Sequence, residues 1–147
     1  MLRVYKSTTT FSTVAAIALL LTGCGESKIS QCNKVIKVAN QAASLGQQYG
    51  KDSKTAKGSQ GLTELATKID QVGTEMKGLE IKDEKLQGFQ GRFLKLYQDI
   101  SKGLNDAATA INKKDIKSAN RFFVNLQKSS VEEGLIVKEI NGYCSGK

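Results

Sequence analysis

From Leu62 to Leu79, apolar side chains recur as Leu62, Leu65, Ile69, Val72, Met76 and Leu79, at steps of 3, 4, 3, 4 and 3. That spacing holds them on one face of a helix. It predicts a helix over 59–80, with Ser59 as its cap. Upstream, Ile29, Cys32, Val35, Ile36, Ala39, Ala42, Ala43, Gly46 and Tyr49 keep the same period and predict a helix over 28–49. Its apolar face is narrow and rich in alanine and glycine, so a neighbour can approach closely. Between the two, 50–58 is bounded by glycine, filled with lysine and nearly free of apolar residues, which reads as a loop.

Downstream, Asp83 reads as the cap of a third helix that reaches residue 113. Its stripe runs from Leu86 through Phe89, Phe93, Leu96, Tyr97, Ile100 and Leu104 to Ile111, which makes it the expected core helix. Asp115 caps a fourth helix, to residue 141. The apolar face of that helix thins in the middle, where Ser129, Ser130 and Glu133 occupy places a heptad would give to leucine. Either the helix shifts phase there or that level is loosely packed. No segment alternates with period two. Four amphipathic segments with short connections predict an all-α, up-down-up-down four-helix bundle. The last two segments are the longer pair, so the second hairpin is expected to reach beyond the first.

Composition narrows the chemistry. The chain has no proline, which removes the commonest interruption of long helices, and no histidine. Lack of histidine excludes histidine-based acid–base catalysis, histidine-containing triads and most zinc sites. No cofactor, metal site or enzymatic activity is expected. Glu132, Glu133 and Glu139 share a helix, but a di-iron bundle also wants histidine. The formal charge is +8, from 22 basic and 14 acidic residues. Such a surplus favours anionic surfaces.

The N-terminus changes the picture most. MLRVYKSTTT carries Arg3 and Lys6 and no acid, and the apolar run after it is too short to span a bilayer. The run ends in Leu21-Thr22-Gly23-Cys24. This leader resembles that of bacterial lipoprotein precursors, with Leu21 and Gly23 matching the lipobox before its cysteine. The resemblance covers the leader alone. It implies that residues 1–23 are a signal peptide, that Cys24 takes a diacylglycerol, and that the new amino terminus gains a further acyl chain such as palmitate. Two or more chains hold a protein on a bilayer where one is marginal. Residues 24–27 would then be a short lipidated tether, and 28–147 the four-helix domain. The expected location is membrane-anchored and extracytoplasmic, on the periplasmic or cell-surface side. Nucleic acid is not an expected partner there. Without the leader's two basic residues the charge falls from +8 to +6. The helical part also resembles the broad class of small envelope helical bundles that includes photosynthetic accessory lipoproteins, with no residue signature for one family.

With Cys24 committed to lipid, Cys32 and Cys144 remain. An extracytoplasmic compartment permits disulfides. In an alternating bundle, the start of helix one and the end of helix four share one end. A Cys32–Cys144 disulfide is therefore expected, in a chain that runs as a monomer.

Three surface features compete as sites. Lys113, Lys117 and Arg121 stand at i, i+4 and i+8 at the start of helix four, where like charges repel and the helix dipole disfavours cations. They read either as a docking patch for headgroups or an acidic partner, or as a solvated surface. Lys85, Arg92, Lys95 and Lys102 form a second basic stripe, interleaved with Asp99 and Asp106. Gly88 and Gly91 flank Phe89 and read as an open groove or as close packing. The expected function is a lipid-anchored, non-enzymatic module that docks onto or assists a membrane-associated protein. The alternative is a binding module for a small molecule or for anionic cell-envelope material. An apolar pocket above roughly 300 Å³ beside Ser129 and Ser130 would favour that alternative.

Overall fold

A computed structural model of the chain describes residues 26–52 and 58–146. The leader with its Leu21–Cys24 motif, and the middle of the loop expected at 50–58, lie outside the described residues. The described residues form four helices: α1 (Lys28–Asp52), α2 (Gly58–Lys77), α3 (Glu84–Asn112) and α4 (Ile116–Cys144). They pack in sequence as an up-down-up-down bundle. At 1.5 Å per residue, the 29-residue α3 and α4 span roughly 43 Å, against roughly 30 Å for the 20-residue α2. None of these helices is long and apolar enough to cross a membrane.

The α2 and α3 stripes become the centre of the core. Leu62, Ala66, Ile69, Val72 and Met76 of α2 meet Leu86, Phe89, Phe93, Leu96, Tyr97 and Leu104 of α3. The Phe93 and Tyr97 rings stack with centroids 5.8 Å apart. On α1 the buried face is Cys32, Val35, Val38, Ala39 and Ala42, while Ile29 is exposed. The expected α1 face was thus rotated slightly toward Val38. Two caps hold as expected: Asp83 accepts from the Leu86 amide and Asp115 from the Ser118 amide. Ser59 is no cap, because α2 begins at Gly58.

Helix α2 stops three residues early, and glutamine side chains brace the α2–α3 connection. Gln31, buried on α1, accepts from the Lys82 and Asp83 amides at 2.7 and 3.0 Å. Gln87 donates to the Ile81 carbonyl, and Gln90 to those of Met76 and Leu79. Buried backbone groups of a loop need such partners. The α3–α4 turn closes as a Schellman motif: the Lys114 amide donates to Ile111 and the Asp115 amide to Ala110, both at 2.9 Å. Lys114 takes the left-handed conformation there, with φ of 58°.

The Cys32–Cys144 disulfide joins the start of α1 to the end of α4. This confirms the pairing expected from topology. Away from it the two helices part. α1 touches α3 and α4 far less than α2 and α3 touch each other.

Candidate functional site

Where α1 and α4 part, the bundle has an open groove of about 480 Å³. The α1 wall is Ala42, Ala43, Gly46 and Tyr49, and the α4 wall is Phe123, Leu126, Ser130 and Glu133. Leu62, Leu65 and Ile69 of α2 and Ile100 and Leu104 of α3 form the floor. Small residues on α1 leave the space unfilled: a Cβ on Gly46 would meet nothing within 4 Å. The inward face of α4 keeps its 3/4 spacing through Phe122, Leu126, Ser129, Glu133, Ile136 and Ile140, so the thin part of its stripe is an open level and not a phase shift. The volume lies within the range of small-molecule sites.

Two ionisable groups line this groove: the Tyr49 phenol, pushed up by burial, and the one carboxylate, Glu133. Glu133 is half-buried, and desolvation pushes its carboxyl above the usual range. The buried Tyr97 hydroxyl lies 3.5 Å from its Oε1, at the outer limit of a hydrogen bond. Burial, then the nearby carboxylate, pushes the Tyr97 phenol up. Two carboxylate oxygens accept about four hydrogen bonds. Tyr97 uses one, weakly, so Glu133 keeps capacity for a donor arriving in the groove. Among the described residues no cluster of cysteine, aspartate and glutamate is placed to hold a metal ion.

The residues singled out in the sequence are distributed unevenly. Lys113 caps the C-terminus of α3, while Lys117 and Arg121 lie in the first turns of α4. They therefore do not form one helical face. They straddle the turn at the end of the bundle opposite the disulfide. Arg121 donates to Ser118 at 3.2 Å and sits beside the Phe122 ring. The stripe on α3 is largely neutralised. Arg92 grips Glu139 through both terminal nitrogens, at 2.6 and 3.2 Å, and Lys95 and Lys102 pair with Asp99 and Asp106. The Glu139 pair holds that carboxyl below its usual range. Gly88 and Gly91 face open space, with Phe89 and Phe93 in the core.

A second hollow, of about 660 Å³, lies at the disulfide end beside Tyr143. Lys28 Nζ sits 3.8 Å and Lys85 Nζ 4.6 Å from the centre of the Tyr143 ring. Lys138 lines the same hollow. Lys28 and Lys138 carried no sequence signal, because only the topology brings α1, α3 and α4 together there. No protein-family model, curated protein or solved structure matches this chain.

Proposed function

We propose that this chain is a lipid-anchored, non-enzymatic binding module on the extracytoplasmic side of a membrane. Its groove between α1 and α4 holds a small amphiphile with an apolar body and a cationic or hydrogen-bond-donating head. The observation that carries this reading is the apolar groove of about 480 Å³ with Glu133 in its wall. Apolar walls favour the body of such a ligand. A half-buried carboxylate favours an amine or hydroxyl over an anion. The anchor is supported by the Leu21-Thr22-Gly23-Cys24 motif.

The test is ligand-linked stabilisation of the full chain. Octylamine should raise the melting temperature and octanoate should not. Gly46→Leu fills the open space on α1 and should abolish the octylamine shift while leaving the protein folded. A shift from neither amphiphile, or an undiminished shift in Gly46→Leu, would count against the reading.

A second reading, docking onto an apolar helix of a membrane-associated protein, is favoured by the outer face of α4. Val124, Val131 and Leu135 lie on one side of the helix and are 53%, 63% and 54% exposed. Apolar surface of this kind marks interaction sites when it is contiguous. Crosslinking in native membranes from cysteines placed at Val124 and Val131 tests it. A single stoichiometric adduct would support docking, and its absence would leave the groove as the working site.

A further inference from the structure

We propose that Lys28, Lys85 and Lys138, which line one hollow beside Tyr143, bind the phosphate of an anionic lipid headgroup at the tether end of the bundle. The lipid source rests on the anchored reading above, since the anchor is what brings a bilayer to this end.

Convergence is the first argument. Three helices, α1, α3 and α4, each send one lysine to the same hollow. Two of the ammonium groups lie over one ring, at 3.8 and 4.6 Å from its centre. None of the three forms an ion pair among the described residues. Two carboxylates stand nearby, Glu139 in the lining of the hollow and Asp83 beside Lys28, and both spend their hydrogen bonds on other groups. Glu139 is held by Arg92, and Asp83 accepts from the Leu86 amide and from the Tyr143 hydroxyl. Gathered like charges repel, and an arriving phosphate relieves that repulsion. The Tyr143 ring holds two of the cations in place by cation–π attraction.

The apolar part of the hollow is the second argument. Phe89 and the half-exposed Leu135 line it beside the lysines. Charge next to apolar surface suits the boundary between headgroups and acyl chains. Position is the third. Lys28 follows Cys24 by four residues, so a fully extended tether spans at most about 14 Å. Lys117 and Arg121 lie roughly 39 and 33 Å from Tyr143 along α4, beyond reach of the bilayer for an upright bundle. Electrostatic attraction fades within about 10 Å. The tether-end lysines are therefore the cations that the bilayer would meet.

The experiment uses the lipidated chain from Cys24 onward on vesicles of phosphatidylcholine, or of phosphatidylcholine with one-third phosphatidylglycerol. Lysine acetylation rates are read by mass spectrometry. Rates at Lys28, Lys85 and Lys138 should fall several-fold on the anionic vesicles, with Lys113 and Lys117 unchanged. Replacing all three with glutamine should remove the extra affinity for phosphatidylglycerol, about fivefold for each lysine. Equal rates on both vesicles would overturn the proposal, as would equal protection of Lys113 and Lys117. Protection by inorganic phosphate alone on neutral vesicles would overturn the headgroup assignment. The anchor is read separately, from flotation with neutral vesicles and the mass at Cys24. A chain that fails to float on them yet shows the three-lysine protection on anionic vesicles keeps the site and loses the anchor.

Discussion

The Tyr143 hydroxyl donates a hydrogen bond of 2.8 Å to Asp83, tying the last turn of α4 to the cap of α3. Asp83 thus carries two tasks, because its other carboxylate oxygen accepts from the Leu86 amide. Those bonds, the Leu86 amide first and then Tyr143, hold the Asp83 carboxyl below 3.8. A lowered carboxyl adds stability that is present above the unfolded value and lost as pH falls through the folded one. Asp83→Ala should lower the melting temperature by several degrees at pH 7, and Tyr143→Phe by less. The Asp83→Ala deficit should shrink as the pH is taken below 3.8. Paired thermal melts across that window check both statements.

The same end carries the covalent link. Cys32 and Cys144 are 112 residues apart in the chain, so their bond restricts the unfolded state strongly. Replacing both with alanine should cost about 4 kcal/mol in denaturant unfolding. The wild-type chain should change mobility on a non-reducing gel only after reduction.

Lys114 stands where glycine is the favoured residue. Its φ of 58° is left-handed, and a side chain there costs about 1 kcal/mol. Lys114→Gly should therefore stabilise the protein by about 1 kcal/mol, measured by chemical denaturation. An unchanged or lowered stability would mean that the lysine side chain repays its conformational cost through contacts of its own.

Glu133 should show the opposite pH behaviour to Asp83. Desolvation raises its carboxyl above 4.5, so its contribution is fully present below 4.5 and lost as pH rises through the folded value. Glu133→Gln mimics the protonated form. It should raise the melting temperature at pH 7, and the gap to wild type should close as pH falls below 4.5. The same variant should weaken octylamine binding if the head group meets this carboxylate.

Much of the bundle was legible because period and caps agreed. The heptad from Leu62 to Met76 became the α2 core face, and Asp83 and Asp115 became the caps their chemistry suggested. The ends of α2 were harder to read. Its early stop depends on Gln31, Gln87 and Gln90 reaching backbone carbonyls and amides, and glutamine carries no positional signal for that task. The groove was half legible. Ser130 and Glu133 marked a weak level on α4, but the Ala43 and Gly46 wall read as a close-packing face. Lys28, Lys85 and Lys138 were not legible as a group. Their neighbourhood arises from the order in which three helices return to one end.

The most direct test of the central claim is photoaffinity mapping with a diazirine-bearing alkylamine on the full chain. Label on α1 between 42 and 49 and on the groove-lining α4 residues Leu126, Ser130 and Glu133, suppressed by Gly46→Leu and by excess octylamine, is the expected result. Label confined to the outer face at Val124, Val131 and Leu135, or spread along the helices without competition, would contradict a ligand groove between α1 and α4.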